Sequence, residues 1–588
     1  MSEALPLLVA GPLAAAALVA ALHRFVPGLV LDAIALLVAL ACCGGALAVA
    51  GAAREGPLVA FLGGWAPEDG AQIGIALVAD VLGGGFAALI AGLVAVVIVY
   101  GRLFFGAVEG LYQALLLVVL GAGAGFALTG DLFNLYVFFE LIGVTTFVLT
   151  AYRMDDDALH GALLFAVVNT LASILLLAGI GTLYAVGGSV DLSALGRALA
   201  EEGDGPAVRL GFVLVVAGFL IKAAALPFHL WLTEAYAGAP APVCVLFGGA
   251  SVTFGLFGLA RVLSSVFAFG SVPEALASAI LLPVGVATAL AAAALALVEP
   301  NLKRILALTT SAHVGIVLVA LGLADPQALG GASLYGLGHA VVKAGLFAAA
   351  GVLVAHARTS DLAALAARAR DLGRGGMTAV VLLGLGALAI AGAPPGLAYR
   401  GKGAIEEAAD AAGLPALGLV AEASGVLAGA AILAATLRIG LARGAPDEPP
   451  PIALPALAPG RNGLGLAIVA ALLVGAGLLP GLAGLDESVA RGALHAMRAE
   501  DVARTVLDGA PFAASALPAS AVPGAELSLR ALLPPIAAIG LASLLAWPKR
   551  HPTIAATAPA RTGAIGDAAA LAAIGLAALA VVAALVPG

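Results

Sequence analysis

Apolar runs of about 20 residues follow one another along nearly the whole chain, and this pattern fixes its class before any single residue is weighed. A helix needs about 20 such residues to cross the hydrocarbon of a bilayer. Runs of this kind lie near 4–22, 29–52, 74–100, 111–128, 131–151, 160–186, 208–226, 240–262, 275–298, 303–323, 330–356, 377–393, 415–441, 462–482, 531–547 and 566–586. The chain is 62% hydrophobic and 11% charged over 588 residues, where a soluble chain is about 45–50% apolar and about 25% charged. The expectation is an all-α polytopic membrane protein with about 16 transmembrane helices. The start, Met-Ser-Glu, has no cationic region, so Ala4–Leu22 reads as a first span rather than a signal peptide.

Several function classes drop out. No basic tract or aromatic–basic interleaving is present, so no nucleic acid partner is expected. Cys42, Cys43 and Cys244 form no CxxC or Cys/His cluster, which argues against iron–sulfur or zinc ligation. A nucleotide-binding glycine loop is missing as well. The expectation is therefore no cofactor, no metal and no catalytic residue. The 77 glycines suit close helix packing in lipid.

Two prolines break the pattern. The run 208–226 meets Pro227 and continues as a half-helix, and the run 377–393 meets Pro394-Pro395 and restarts around Lys402. Broken helices at membrane depth persist only where protein or water supplies the lost backbone partners. Paired breaks of this kind point to a transport site. With the N-terminus outside, inner loops hold about 15 of the 27 Lys and Arg, most densely from His356 to Arg374. Beyond Leu441, residues 444–460 read as a linker, 485–507 as an amphipathic surface helix and 515–524 as a loop.

Charged groups inside such runs cost roughly 2.5–3.5 kcal/mol each even on the lenient insertion scale, so they should face protein or trapped water. Glu140 lies near mid-depth of its run, and Lys222 lies too deep to snorkel. A carboxylate beside a buried lysine forms a switch: pairing holds the proton on the amine and separation releases it. The same two residues could also be a static ion pair. His339 and Lys343 stand one helical turn apart and form a candidate relay. Lys402 follows the second break as a counterpart of Lys222, with an interfacial position as the alternative. His229 and His313 are candidate relay members, His229 and Trp231 being equally readable as interfacial anchors.

At these residues the chain resembles the antiporter-like membrane subunits shared by respiratory complex I and Mrp-type cation/proton antiporters. The resemblance rests on Gly63-Gly-Trp65 with Ile73 to Asp80, on Gly130 to Glu140, which is similar to the D-type component of Mrp antiporters, and on Lys222 to Trp231. It continues through Asn301 to Thr310, His339 to Ala344 and Ala391 to Lys402, and covers about residues 60–440. It implies a 14-helix core with two inverted five-helix repeats, and residues 1–110 as N-terminal helices. The repeats would span 111–262 and 275–441, and 442–588 would be linker, amphipathic segment and last helices. It also implies that Glu140, Lys222, His339, Lys343 and Lys402 carry protons. The family's eighth helix often carries a lysine where Thr253 stands here, so Thr253 becomes a candidate relay hydroxyl. Near the second break, Arg400 is an added charge.

The expected function is that of a proton-translocating subunit of an Mrp-type antiporter, working with other membrane subunits in the plasma (inner) membrane of a prokaryote. It would move protons, with Na⁺ or another monovalent cation as counter-ion. The alternatives are a proton-pumping membrane subunit of an NADH–quinone oxidoreductase or membrane hydrogenase, an energising partner of inorganic-carbon uptake, and a non-conducting scaffold. Any redox activity would reside in partner subunits.

Overall fold

The computed structural model describes residues 1–67, 74–106, 110–272, 274–369, 372–441, 463–478, 485–512 and 529–546. The expected linker 444–460, the loop 515–524 and the span 566–586 lie outside these residues. The N-terminal part holds α1 (Leu5–Leu22), α2 (Gly28–Ala52), strands β1 (Leu58–Phe61) and β2 (Ala76–Ala79), α3 (Val81–Phe105) and α4 (Gly110–Leu128). Next come α5 (Leu132–Thr150), α6 (Asp156–Gly187), α7 (Leu192–Glu202), the broken pair α8 (Pro206–Lys222) and α9 (Leu230–Gly238), α10 (Ala241–Ser265) and α11 (Glu274–Val298). The order then recurs in α12 (Leu302–Gly322), α13 (Pro326–Ala357), the short α14 (Leu362–Ala367), the broken pair α15 (Arg374–Ile390) and α16 (Leu397–Ala411), and α17 (Pro415–Gly440). The tail contributes α18 (Gly463–Leu478), α19 (Leu485–Ala496), α20 (Ala499–Asp508) and α21 (Leu533–Ala546).

Each apolar run from 4–22 to 531–547 thus coincides with a helix to within a few residues. One start differs. Residues 76–79, expected to begin the span 74–100, instead pair antiparallel with Leu58–Phe61. The helix begins only after Asp80, whose side chain caps it by accepting from the Gly83 amide at 2.6 Å. The amphipathic segment 485–507 is two helices rather than one. Eleven of the described helices are long and apolar enough to cross a membrane, so this is a multi-pass membrane protein.

Burial within the bundle is graded. The apolar window of α12 is wholly enclosed by other helices, whereas α1 and α2 leave most of theirs facing outward. α13 packs against α10, α12, α15, α16, α18 and α19. The most enclosed element therefore belongs to the second run of helices. Close approach depends on small residues: a methyl added at Gly315 of α12 would fall 2.2 Å from the Ala289 amide nitrogen of α11.

The matching element order extends to caps. Asp131 and Asp191 cap α5 and α7, and their backbones form an antiparallel bridge. Asn301 and Asp361 cap α12 and α14 and are bridged in the same way. Asp191 is buried and accepts from the Ser193 and Ala194 amides at 3.0 and 2.9 Å. Burial pushes this carboxyl up from 3.8 to about 6, and the Asp131 carboxylate adds a smaller push against those hydrogen bonds. A carboxyl raised on folding binds more protons folded than unfolded, so its contribution is greatest below pH ~4 and is lost as pH rises to ~6. Asp191→Asn, which keeps the capping oxygen, is expected to flatten that part of the stability–pH profile. It should raise stability above pH 6 by up to ~2–3 kcal/mol, read as unfolding midpoints from pH 4 to 8. Identical profiles for both proteins would count against this.

Candidate functional site

The first break is built to hold Lys222. α8 stops at this residue because Pro227, five residues on, has no amide hydrogen to continue the helix. The freed backbone groups find partners on neighbours. The Leu226 amide donates to Thr288 of α11 at 3.0 Å, Ser311 of α12 donates to the Ala224 carbonyl at 2.8 Å, and the Trp231 indole donates to the Ile221 carbonyl at 3.1 Å. Trp231 is fully buried and stacks on Phe165 with ring centroids 4.4 Å apart, so its ring packs inside the bundle. The ammonium of Lys222 also sits at the C-terminal, negative end of α8.

Lys222 is 2% exposed. Its Nζ donates to Asn169 Oδ1 at 2.7 Å and lies over the rings of Phe139 and Phe165, 5.1 and 5.2 Å from their centroids. Glu140 accepts from the Ser173 hydroxyl. Among the described residues no direct ion pair joins Glu140 to Lys222, although the charge of Glu140 reaches the ammonium. The link runs through α6, where Asn169 and Ser173 stand one turn apart and present one partner to each. The simple pair expected from sequence is thus a four-membered chain, Glu140–Ser173–Asn169–Lys222.

Close packing fixes Asn169. A methyl added at Gly143 on α5 would fall 2.4 Å from Asn169 Nδ2. Gly143→Ala is therefore expected to displace Asn169 and loosen Lys222 without changing any charge. In membrane vesicles holding the assembled complex, proton flux should fall severalfold, while Gly181→Ala, with open space around it, should leave flux unchanged. Equal flux in both variants would remove Asn169 from the site.

The second cluster centres on α12 and α13. Lys343 is fully buried; its Nζ donates to the Leu306 carbonyl at 2.9 Å and to the Thr309 hydroxyl. One turn earlier on the same face, His339 packs against His313 with ring centroids 4.3 Å apart. Tyr335 bonds through its hydroxyl to His313 Nδ1. Both His339 ring nitrogens and His313 Nε2 are buried without a protein partner; such atoms are where ordered water binds. His313 lies within reach of the charges of both Lys343 and Lys402.

Lys402 is buried within the bundle, 4% exposed. Its Nζ lies 3.8 Å from Glu406 one turn along α16, and it rests over Gly392, where an added methyl would come within 2.9 Å. Gly392 itself has φ +95°, a conformation only glycine adopts freely. Lys402 is a looser counterpart of Lys222 than expected. Lys222 ends the half-helix before its break, whereas Lys402 belongs to the half-helix after the other one.

His229 stands apart, half-buried beyond the first break. Thr253 gives its hydroxyl to Gly249 of its own helix at 3.1 Å and faces a largely apolar cavity of about 290 Å³. Two hydroxyls of α12 lie close to the clusters. Thr309 meets Lys343, and Ser311 meets the backbone of the first break two residues beyond Lys222. Asn169, Ser173, Thr309, Ser311, Tyr335 and Glu406 were not singled out from sequence. Asn169 and Ser173 carried a usable signal, two polar side chains at i and i+4 inside an apolar run.

A family model described as NADH:quinone oxidoreductase/Mrp antiporter, TM matches residues 129–427, which include both clusters. The chain is 34% identical over 367 residues to the N component of the NADH-quinone oxidoreductase of Desulforudis audaxviator, covering 61% of this chain and 70% of that one. It is 29% identical over 361 residues to the D component of the Na(+)/H(+) antiporter of Bacillus subtilis, covering 60% and 70%. Among solved structures, a chain of the Mrp complex from Dietzia sp. DQ12-45-1b superposes with TM-score 0.71 and 24% identity, over 87% of this chain and 98% of that one. A chain of the archaeal membrane-bound sulfane sulfur reductase superposes with TM-score 0.73 and 24% identity, over 86% and 100%. These two likenesses bear on the fold, which is that of an antiporter-like membrane protein. The chain belongs to the NADH:quinone oxidoreductase/Mrp antiporter transmembrane family.

Proposed function

We propose that this chain is the proton-translocating subunit of a multi-subunit cation/proton antiporter of the Mrp type, in the plasma membrane of a prokaryote. The observation that carries this reading is the pair of largely buried clusters, Glu140–Ser173–Asn169–Lys222 and Lys343–His339–His313 with Lys402 beyond, which both adjoin α12, through Ser311 at the first break and Thr309 at Lys343. Ionisable groups enclosed in a bundle at membrane depth are costly and need a role to offset that cost. Residues 111–262 and 275–441, which run from α4 to α10 and from α11 to α17, are the two inverted five-helix repeats of a 14-helix core, each broken pair counting as one helix. Residues 1–110 and 442–588 flank them. Protons enter at Glu140, reach Lys222, pass the Thr309–Ser311 hydroxyls to Lys343 and leave through the imidazoles toward Lys402. The partners are other membrane subunits, and the exchanged ion is Na⁺ or another monovalent cation.

Similarity to a quinone oxidoreductase component at 34% identity supports a second reading, a proton-pumping membrane subunit of a redox complex. The two readings separate in everted membrane vesicles carrying the assembled complex. With a pH gradient set up by another pump, adding Na⁺ or K⁺ should collapse the gradient if the complex is an antiporter. A gradient that ignores both cations but builds on adding a reductant would select the redox complex instead.

A further inference from the structure

A charged cavity lies away from the proposed proton path. It measures about 250 Å³ and is walled by the ends of α3, α5 and α13 and the starts of α10 and α12. Three cations from three separate segments line it: Arg153, Lys303 and Arg358. Arg153 is bonded to Asp155, and Lys303 is held by the Ala237 and Ala239 carbonyls at 2.8 and 2.6 Å. Arg358 makes no ion pair among the described residues. Lys303 and Arg153 are close enough to repel each other. One carboxylate against three cations leaves a positive excess in a partly enclosed space. The N-terminus of α10, a 25-residue helix, contributes the positive end of its dipole beside Ala241.

The opposite wall is apolar, formed by Phe104, Phe105, Phe347, Ala350 and Val354. Arg358 caps the end of α13, while Phe347 lies three turns deeper, about 16 Å along the helix axis. The cations therefore stand at the membrane edge, on the side the Lys and Arg distribution assigns to the cytoplasm, and the apolar wall descends from them to acyl-chain depth. We propose that this cavity binds a phosphate-bearing anion through Arg153, Lys303 and Arg358, and that the Phe104–Phe347 wall receives a chain of an anionic phospholipid. A free phosphate would use the same cations but leave the apolar wall unused. Basic recesses between helices on the cytoplasmic side suit anionic headgroups, each cation near the surface contributing to the attraction.

The test uses the purified full-length complex, stripped of lipid by detergent exchange and studied by native mass spectrometry and thermal unfolding. Phosphatidylglycerol, phosphatidylcholine and inorganic phosphate are added back separately. Wild type is expected to retain phosphatidylglycerol in preference to phosphatidylcholine. Arg358→Gln and Arg153→Gln should each weaken that retention about fivefold, with Arg358→Lys restoring most of it. If inorganic phosphate raises the unfolding temperature of wild type but of neither Gln variant, while phosphatidylglycerol does nothing, the lipid is overturned as the source and a free phosphate takes its place. Equal retention of both lipids, or retention of phosphatidylglycerol by the Gln variants at the wild-type level with no effect of phosphate, would overturn the site altogether.

Discussion

Lys222→Met is expected to lower proton flux through the assembled complex by about tenfold or more, equal to a barrier rise of at least ~1.4 kcal/mol, while the chain still folds. The two effects separate because of how Lys222 is held. Met fills a similar volume and removes the several-kcal/mol cost of keeping an ammonium out of water, while Glu140 has no direct ion pair with Lys222 to lose and keeps its Ser173 partner. Against this, Asn169 Oδ1 loses the ammonium it accepts from, and a buried acceptor left unpaired costs ~1–3 kcal/mol. The sum lies near zero. A fluorescence-detected unfolding midpoint within a few degrees of wild type, alongside collapsed flux in reconstituted vesicles, is the expected pair of results. A large fall in the midpoint with flux intact per folded complex would make Lys222 a structural ion.

Lys343→Met should be as damaging to flux and gentler on the neighbours. Its two acceptors keep other partners: the Leu306 carbonyl also accepts from Thr310 at 2.9 Å, and the Thr309 hydroxyl also donates to the Ile305 carbonyl at 2.9 Å. No buried group is orphaned, so stability should hold or rise. Flux should nonetheless drop about tenfold or more, because on the proposed path His339 and His313 would lose the group that hands them a proton. His339 remains in place in this variant, which separates loss of the lysine from loss of packing. Flux measured against the amount of complex in the same vesicles checks this.

Much of this architecture was legible in the sequence, for a physical reason. Lipid demands unbroken apolar runs, so the long apolar helices announced themselves, and Pro227 and Pro394-Pro395 marked both breaks, whereas the short helices α7 and α14 did not stand out. The strand at Ala76–Ala79 was not legible, since four apolar residues before a capping aspartate look the same as the start of a span. Intramembrane charges stood out because their cost is high, which brought Glu140, Lys222, Lys343 and Lys402 forward. Neutral polar groups stood out less: Asn169, Ser173 and Tyr335 cost less in lipid than a charge does, and even the i, i+4 spacing of the first two does not say which helix they face. The connection between halves shows the same limit. Resemblance drew attention to Thr253, whose hydroxyl bonds its own helix, as that of Thr309 also does; what sets Thr309 apart is the ammonium of Lys343 beside it. The Thr309–Ser311 run lies on the most enclosed helix, and one sequence cannot reveal which helix that is. Glu406, one turn beyond Lys402, was hidden among the acidic residues of α16 for the same reason.

The central claim is that Lys222 and Lys343 belong to one path rather than to two. Proton flux of Lys222→Met, Lys343→Met and the double variant, each in vesicles containing the assembled complex, tests it directly. Groups acting in series fail together, so the double variant should be no slower than either single one, all three at about a tenth of wild type or below. Single variants that each keep about half the flux, with the rest lost only in the double, would show two separate routes and contradict the account. Undiminished flux in all three would contradict it outright.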